Sequence, residues 1–250
     1  MLIDELIKLL HEYLKVDNFQ DYAPNGLQVQ GVAEVKKIVT GVSASLALFK
    51  EAVKHNADTI IVHHGLIWNS ERPIYKGSYK ERIKFLLEHD INLFGYHLPL
   101  DAHPEVGNNA QIAKHLELSN IQPFGDYKNQ KIGFMGETDG LSASVLLDKC
   151  RALFKREPTM FEFGPSSIDR IGVISGGAPE LLKQAVDLNL DAFITGEVNE
   201  PVFHYAEEEG IHFISAGHHA TERFGVKALG KYIEYNYKIE HQYIEIDNPI

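Results

Sequence analysis

The sequence holds one cysteine, Cys150, in 250 residues. A lone thiol excludes an intrachain disulfide and a thiolate cluster for zinc. With Leu146, Leu147 and Leu153 beside it, Cys150 reads as a small core residue. Basic residues are also few: 24 Lys and Arg stand against 35 Asp and Glu, a formal charge of -11. Nonspecific nucleic-acid affinity draws on a basic surface, so nucleic acid is not an expected partner. No apolar run approaches the ~18 residues of a membrane span, and the opening M-L-I-D-E-L-I-K-L-L-H-E-Y-L-K lacks the basic and then apolar blocks of a signal peptide. No membrane contact is expected, and cytoplasm is the expected compartment. A Gly-rich phosphate cradle of the G-x-x-x-x-G-K-S type is missing too, so a nucleotide would need to be held by metals or scattered side chains.

What the chain does have is strand-helix alternation. Leu2, Ile3, Leu6, Leu9, Leu10 and Tyr13 share one helical face and predict a docked amphipathic helix. In D-Y-A-P-N-G-L-Q-V-Q, residues 21–30, Pro-Asn-Gly predicts a turn before the alternating Leu27 and Val29, with Asn25 read as a turn residue. A strand over 38–42, a helix over 45–55 and a strand running through D-T-I-I-V-H-H-G, residues 58–65, form a crossover unit and imply a parallel sheet. Ligands of such sheets gather beyond the carboxyl ends of the strands, where His63 and His64 fall. A helix over 79–88 and a strand over 91–96 lead to His97, with Asp101 and His103 beyond. Pro99 argues against a helix across 97–103, so a loop is expected there. A helix over 108–116 closes the first half, and strands over 131–135 and 159–163 flank a helix over 142–154.

The first unit then returns. Aligning residues 36–65 with 169–198 without a gap gives eight identities in thirty, Asn56 with Asn189 and Asp58 with Asp191 among them. Residues 211–216 match 91–96, and with one residue inserted His97 and Asp101 fall on His218 and Glu222. The expected fold is α/β, with two related α/β halves from an internal duplication, 1–126 and 127–250, and a metal site in the cleft between them. The C-terminal helix and strand are free to pack back on the first half.

His63, His64, His97, Asp101, His218 and Glu222 are six candidate metal ligands, more than the three or four that one zinc takes from protein, and a carboxylate can bridge two ions. Adjacent strand residues point to opposite faces, so His63 and His64 suit two different ions. Nitrogen and oxygen donors admit zinc, manganese, iron, cobalt or nickel. His64 aligns with Glu197, in I-T-G-E, a candidate catalytic proton shuttle for a metal-activated water. His103 and His219 are candidates for lining the site, while His11, His89 and His241 read as surface residues.

The segments I-V-H-H-G, Y-H-L-P-L-D and G-H-H-A-T-E, with P-N-G-L-Q-V and I-T-G-E, resemble the Nif-three-like family, often labelled GTP cyclohydrolase I type 2 homologues, over essentially the whole chain. The resemblance implies two related α/β domains, a dinuclear metal site between them and a toroidal homohexamer whose sites face an interior cavity. By the family pattern His63, His64, Asp101, His218 and Glu222 match ligand positions and His97 a site position. Longer members insert a domain between the halves, for which residues 120–169 leave no room. Cyclohydrolase I proper uses cysteine ligands to zinc, which this chain does not offer. The expectation is therefore a hydrolase with two divalent ions per chain, acting on a small nucleotide-, purine- or pterin-like substrate. The alternative is a non-enzymatic metal-binding or adaptor protein.

Overall fold

The computed structural model describes residues 1–70 and 72–250. They form two compact units, residues 1–100 with 225–247, and residues 101–224 with 248–250. The chain opens with α1 (Ile3–Tyr13), which buries Ile3, Leu6 and Leu10, the face that the leucine spacing predicts. Then come β1 (Gly26–Val29), β2 (Lys37–Ser43), α2 (Leu46–Lys54), β3 (Thr59–His64), α3 (Gly77–Glu88) and β4 (Asn92–Gly95). A short α4 (Leu98–Ala102) leads on to α5 (Asn108–His115), β5 (Ser119–Tyr127), β6 (Gln130–Leu141), α6 (Ala143–Phe154), β7 (Thr159–Phe161) and β8 (Ile168–Val173). After α7 (Leu182–Asp187), β9 (Ala192–Thr195), α8 (Glu200–Glu209), β10 (His212–Ser215) and α9 (His218–Thr221), the chain returns to the first unit with α10 (Arg223–Tyr237) and β11 (Glu240–Tyr243).

The first sheet has the order β1-β4-β3-β2-β11, antiparallel at β1 and parallel elsewhere. A parallel pair needs a crossover, and α2 supplies it between β2 and β3. Ser45 starts that helix by accepting the Leu48 N–H at 3.2 Å, which satisfies a donor that the first turn leaves open. Leu48, Phe49 and Ala52 of α2 pack with Ile60 and Val62 of β3 and with Leu86 of α3 to form this unit's core.

The second sheet has the order β5-β6-β8-β9-β10-β7, with β8, β9 and β10 parallel and the other neighbours antiparallel. Leu146, Cys150 and Phe154 of α6 pack against Ile171, Ile194 and Ile214. Burial pushes the Cys150 thiol up to about 12, which keeps it protonated and inert.

The duplication extends to individual hydrogen bonds. Asp58 Oδ2 accepts the N–H groups of Lys36 and Lys37 at 2.8 and 3.0 Å, and Asp191 Oδ2 accepts those of Asp169 and Arg170 at 2.8 Å each. Asn56 and Asn189, with φ of 55° and 54°, end the corresponding helices in the left-handed region, which asparagine tolerates better than other residues with a side chain.

Four features depart from the sequence reading. The compact units divide earlier than residues 126 and 127, because Ile112 and Ala113 of α5 lie in the second unit's core. Residues 98–102 form α4 rather than a loop; Pro99 is its second residue, in the first turn, where an N–H has no intrahelical acceptor to lose. β5 lies outside the predicted elements, since its first five residues are exposed and it contains Pro123. As an edge strand it can tolerate that proline. His241 is half-buried rather than on the surface, its Nε2 2.9 Å from Thr40 Oγ1 and its ring against Gly230, where a Cβ would meet Nε2 at 2.0 Å.

Candidate functional site

In the first unit the chemistry gathers where β3 and β4 end. His63 is 1% exposed, and its Nδ1 donates to the Tyr96 carbonyl at 3.0 Å. A carbonyl only accepts, so the proton is fixed on Nδ1 and the lone pair on Nε2. His64 Nδ1 lies 3.2 Å from Ser43 Oγ. His97 places Nδ1 2.9 Å from Asp21 Oδ1. The rings of His63 and His64 are 4.8 Å apart, those of His63 and His97 4.9 Å, and one ligand atom from each of the three lies within 4.8 Å of the others. His63 and His64, adjacent at the end of β3, both belong to this group. Three imidazoles thus form one group that could hold a divalent ion.

The segment before β1 builds the surroundings. Asp21 and Asn25 both bond His97, and Gln28 Oε1 accepts the Leu66 and Ile67 N–H groups at 2.7 and 3.2 Å. Gly65 and Gly95 make room for this amide: a Cβ on either would lie 2.3 and 2.8 Å from Gln28 Nε2. Burial opposes the charge on Asp21, but the His97 ring, the Asn25 amide and the Leu98 N–H outweigh it and hold the carboxyl at about 2. Tyr22 and Trp68 wall the group, with ring centroids 4.9 and 5.5 Å from that of His97. Asp21 and Gln28 lie outside the site residues expected from sequence, and Asn25, expected in a turn, also bonds His97; a charged or amide residue on each side of Pro-Asn-Gly was the available signal.

In the second unit β9 runs into Gly196 and Glu197, and β10 into Gly217 and His218. Gly217 has φ of 94° and the Arg156 guanidinium lies across it, 2.1 Å from where a Cβ would stand, so only glycine fits. His218 sits between two carboxylates, Nδ1 2.6 Å from Glu197 Oε1 and Nε2 3.2 Å from Glu222 Oε1. Burial works against its charge, and Glu222 and then Glu197 overcome that, pushing the imidazole up to about 9 in the metal-free protein. Glu222 is 2% exposed. It ends α9 before α10 begins, so His218 and Glu222 share one side of a helical turn as their spacing predicts. Gly176 lies against the pair: a Cβ there would meet Glu222 Oε1 at 2.3 Å.

Asp101 is buried in the second unit, where Oδ1 accepts from Asn108 Nδ2 at 2.9 Å and Ser175 Oγ at 3.0 Å. His103 is buried with Nδ1 accepting the Glu105 and Val106 N–H groups at 3.2 Å each, which occupies that nitrogen in loop structure. The donors are imidazole and carboxylate throughout, a set that fits zinc, manganese, iron, cobalt or nickel.

A model of the family described as Duf34/NIF3 (NGG1p interacting factor 3) matches residues 1–249. The chain is 48% identical over 247 residues to a GTP cyclohydrolase 1 type 2 homolog from Haemophilus influenzae, covering 98% of each chain. It is similar to the solved structure of protein ybgI, of unknown function, with a TM-score of 0.93 and 44% identity over 100% of both chains. A solved structure from Thermus thermophilus is similar at a TM-score of 0.92 and 35% identity, again over 100% of both chains.

Proposed function

We propose, from the premise that this chain belongs to the Duf34/NIF3 family, that it is a dinuclear metal-dependent hydrolase of a small nucleotide-, purine- or pterin-like substrate. The observation that carries this is the three-imidazole group at the end of β3, in which His63 has its Nδ1 proton committed to a carbonyl and its lone pair on Nε2. His63, His64, His97, Asp101, His218 and Glu222 are the proposed ligands for two divalent ions per chain. When bound, such ions supply Lewis acidity and lower the pKa of water.

The chain's own residues supply the rest. Glu197, bonded to His218 Nδ1 and with a side chain 47% exposed, is the proposed proton carrier, since it can exchange with solvent while tied to the site. Trp68 and Tyr22, 6.0 Å apart and 23° from parallel, offer ring faces on which a planar base could stack. The name of the curated relatives, GTP cyclohydrolase 1 type 2 homolog, agrees with a substrate of that shape. The proposal extends to a toroidal homohexamer in the cytoplasm.

Elemental mass spectrometry of wild type, His64→Ala and Glu222→Ala tests the centre. About two ions per chain, reduced in both variants, is the expected result. No bound metal in wild type after adding zinc or manganese would overturn it. Trp68, the one tryptophan of the chain, then serves as a fluorescence reporter when nucleotides and pterins are titrated and assayed for hydrolysis.

A further inference from the structure

We infer that Asp21, together with Asn25, is a positioning residue that fixes His97 as an Nε2 donor to a divalent cation. The inference rests on the metal-binding reading above. Asp21 lies 76 residues before His97 in sequence, and its side chain is 2% exposed. Five donors converge on its carboxylate. Oδ1 takes the Tyr22 N–H at 2.7 Å, the Ala23 N–H at 3.2 Å and His97 Nδ1 at 2.9 Å. Oδ2 takes Asn25 Nδ2 at 3.0 Å and the Leu98 N–H at 2.9 Å. An ionised carboxylate offers about four lone-pair sites, so this one has nothing left with which to bind a cation itself.

Its effect therefore passes through His97. A carboxylate that only accepts keeps the imidazole proton on Nδ1 and leaves the lone pair on Nε2, and it raises the basicity of that nitrogen. Asn25 restrains the backbone of the same residue: its Oδ1 accepts the His97 N–H at 2.7 Å while its amide donates to Asp21. Ring and backbone of His97 are thus pinned by one short segment, residues 21–25, which Gly26 closes with a φ of 116°. His63 reaches the same state with a different partner, the Tyr96 carbonyl on its Nδ1. Two of the three imidazoles are then oriented before any ion arrives, which limits what must be ordered on binding.

The test uses the full-length protein, stripped of metal, as wild type, Asp21→Ala, Asp21→Asn and Asn25→Ala. Imidazole proton-nitrogen correlation spectra read the ring directly. Wild type is expected to hold the His97 proton on Nδ1, and Asp21→Ala to shift it toward Nε2. Zinc affinity, measured by competition with a chromophoric chelator, is expected to fall about ten- to a hundredfold in Asp21→Ala. It should fall less in Asp21→Asn, whose amide oxygen can still accept from Nδ1, and in Asn25→Ala, which leaves the carboxylate in place. Should Asp21→Ala not fold, Asp21→Asn carries both readouts, with a smaller tautomer shift and loss of affinity. Zinc bound with wild-type affinity by the folded Asp21 variant overturns the inference and leaves the metal reading standing. Zinc refused by wild type overturns the metal reading instead. A His97 ring that keeps its Nδ1 proton in folded Asp21→Ala overturns the positioning role whatever the zinc result.

Discussion

His97 and His218 follow corresponding strands in the two units, and each has a carboxylate on Nδ1, at 2.9 and 2.6 Å. The two carboxylates have opposite surroundings. Asp21 is sealed, its side chain 2% exposed, and belongs to an N-terminal segment outside the repeated unit; Glu197 is 47% exposed and occupies the repeat position that carries His64 in the first half. The repeat thus supplies strands, helices and the Asp58 and Asp191 clamps twice, while the polar groups around each histidine differ. A sealed carboxylate can only orient its imidazole. An open one can also trade protons with water, which is why Glu197 is the residue proposed as the proton carrier.

The largest expected break in the comparison is at Gly176, which aligns with Ser43. Ser43 holds His64 at 3.2 Å, whereas a Cβ on Gly176 would sit 2.3 Å from Glu222 Oε1 at a φ of 67°. Gly176→Ala is expected to weaken metal binding by about a hundredfold and to cost about 1 to 3 kcal/mol of stability. Ser43→Gly should cost only about 1 kcal/mol. Zinc titration and urea melts of both variants check this, and equal effects would mean that the positions have not diverged.

Asp21 and His218 should also respond to pH with opposite sign in metal-free protein. Asp21 is lowered from 3.8 to about 2, so its contribution is present above pH 3.8 and is lost as pH falls through about 2. His218 is raised from 6.5 to about 9, so its contribution is present below pH 6.5 and is lost as pH rises through about 9. They are worth on the order of 2 kcal/mol for Asp21 and on the order of 3 kcal/mol for His218. Urea melts across the range should show Asp21→Asn flattening the acid limb and Glu222→Gln the alkaline one. A variant that leaves its own limb unchanged counts against the assignment.

Smaller still is the difference expected between Asp58→Ala and Asp191→Ala. Each removes an acceptor of two backbone N–H groups, so each should cost on the order of 2 kcal/mol. A gap of more than about 1 kcal/mol between them would show that the equivalent clamps contribute unequally.

Periodicity made the crossover units legible, because Ile60, Ile61 and Val62 before two histidines can hardly be anything but a buried strand with polar residues at its end. It also made His218 and Glu222 legible as one turn of helix. The Asp21 contact was not, since nothing local in the segment points to a partner 76 residues away. Nor was α4: proline disfavours helix interiors, but Pro99 sits in a first turn, where it is tolerated. β5 escaped because a strand exposed along half its length does not alternate.

One edge of the first sheet belongs to the end of the chain. β11 pairs in parallel with β2, Glu240 opposite Lys37 and Tyr243 opposite Thr40. During synthesis, β2 leaves the ribosome some two hundred residues before its neighbour exists. Until then it presents an unpaired row of N–H and C=O groups, the kind of edge that recruits other chains. The sheet whose strands are made first is therefore completed only after every strand of the second sheet has been made.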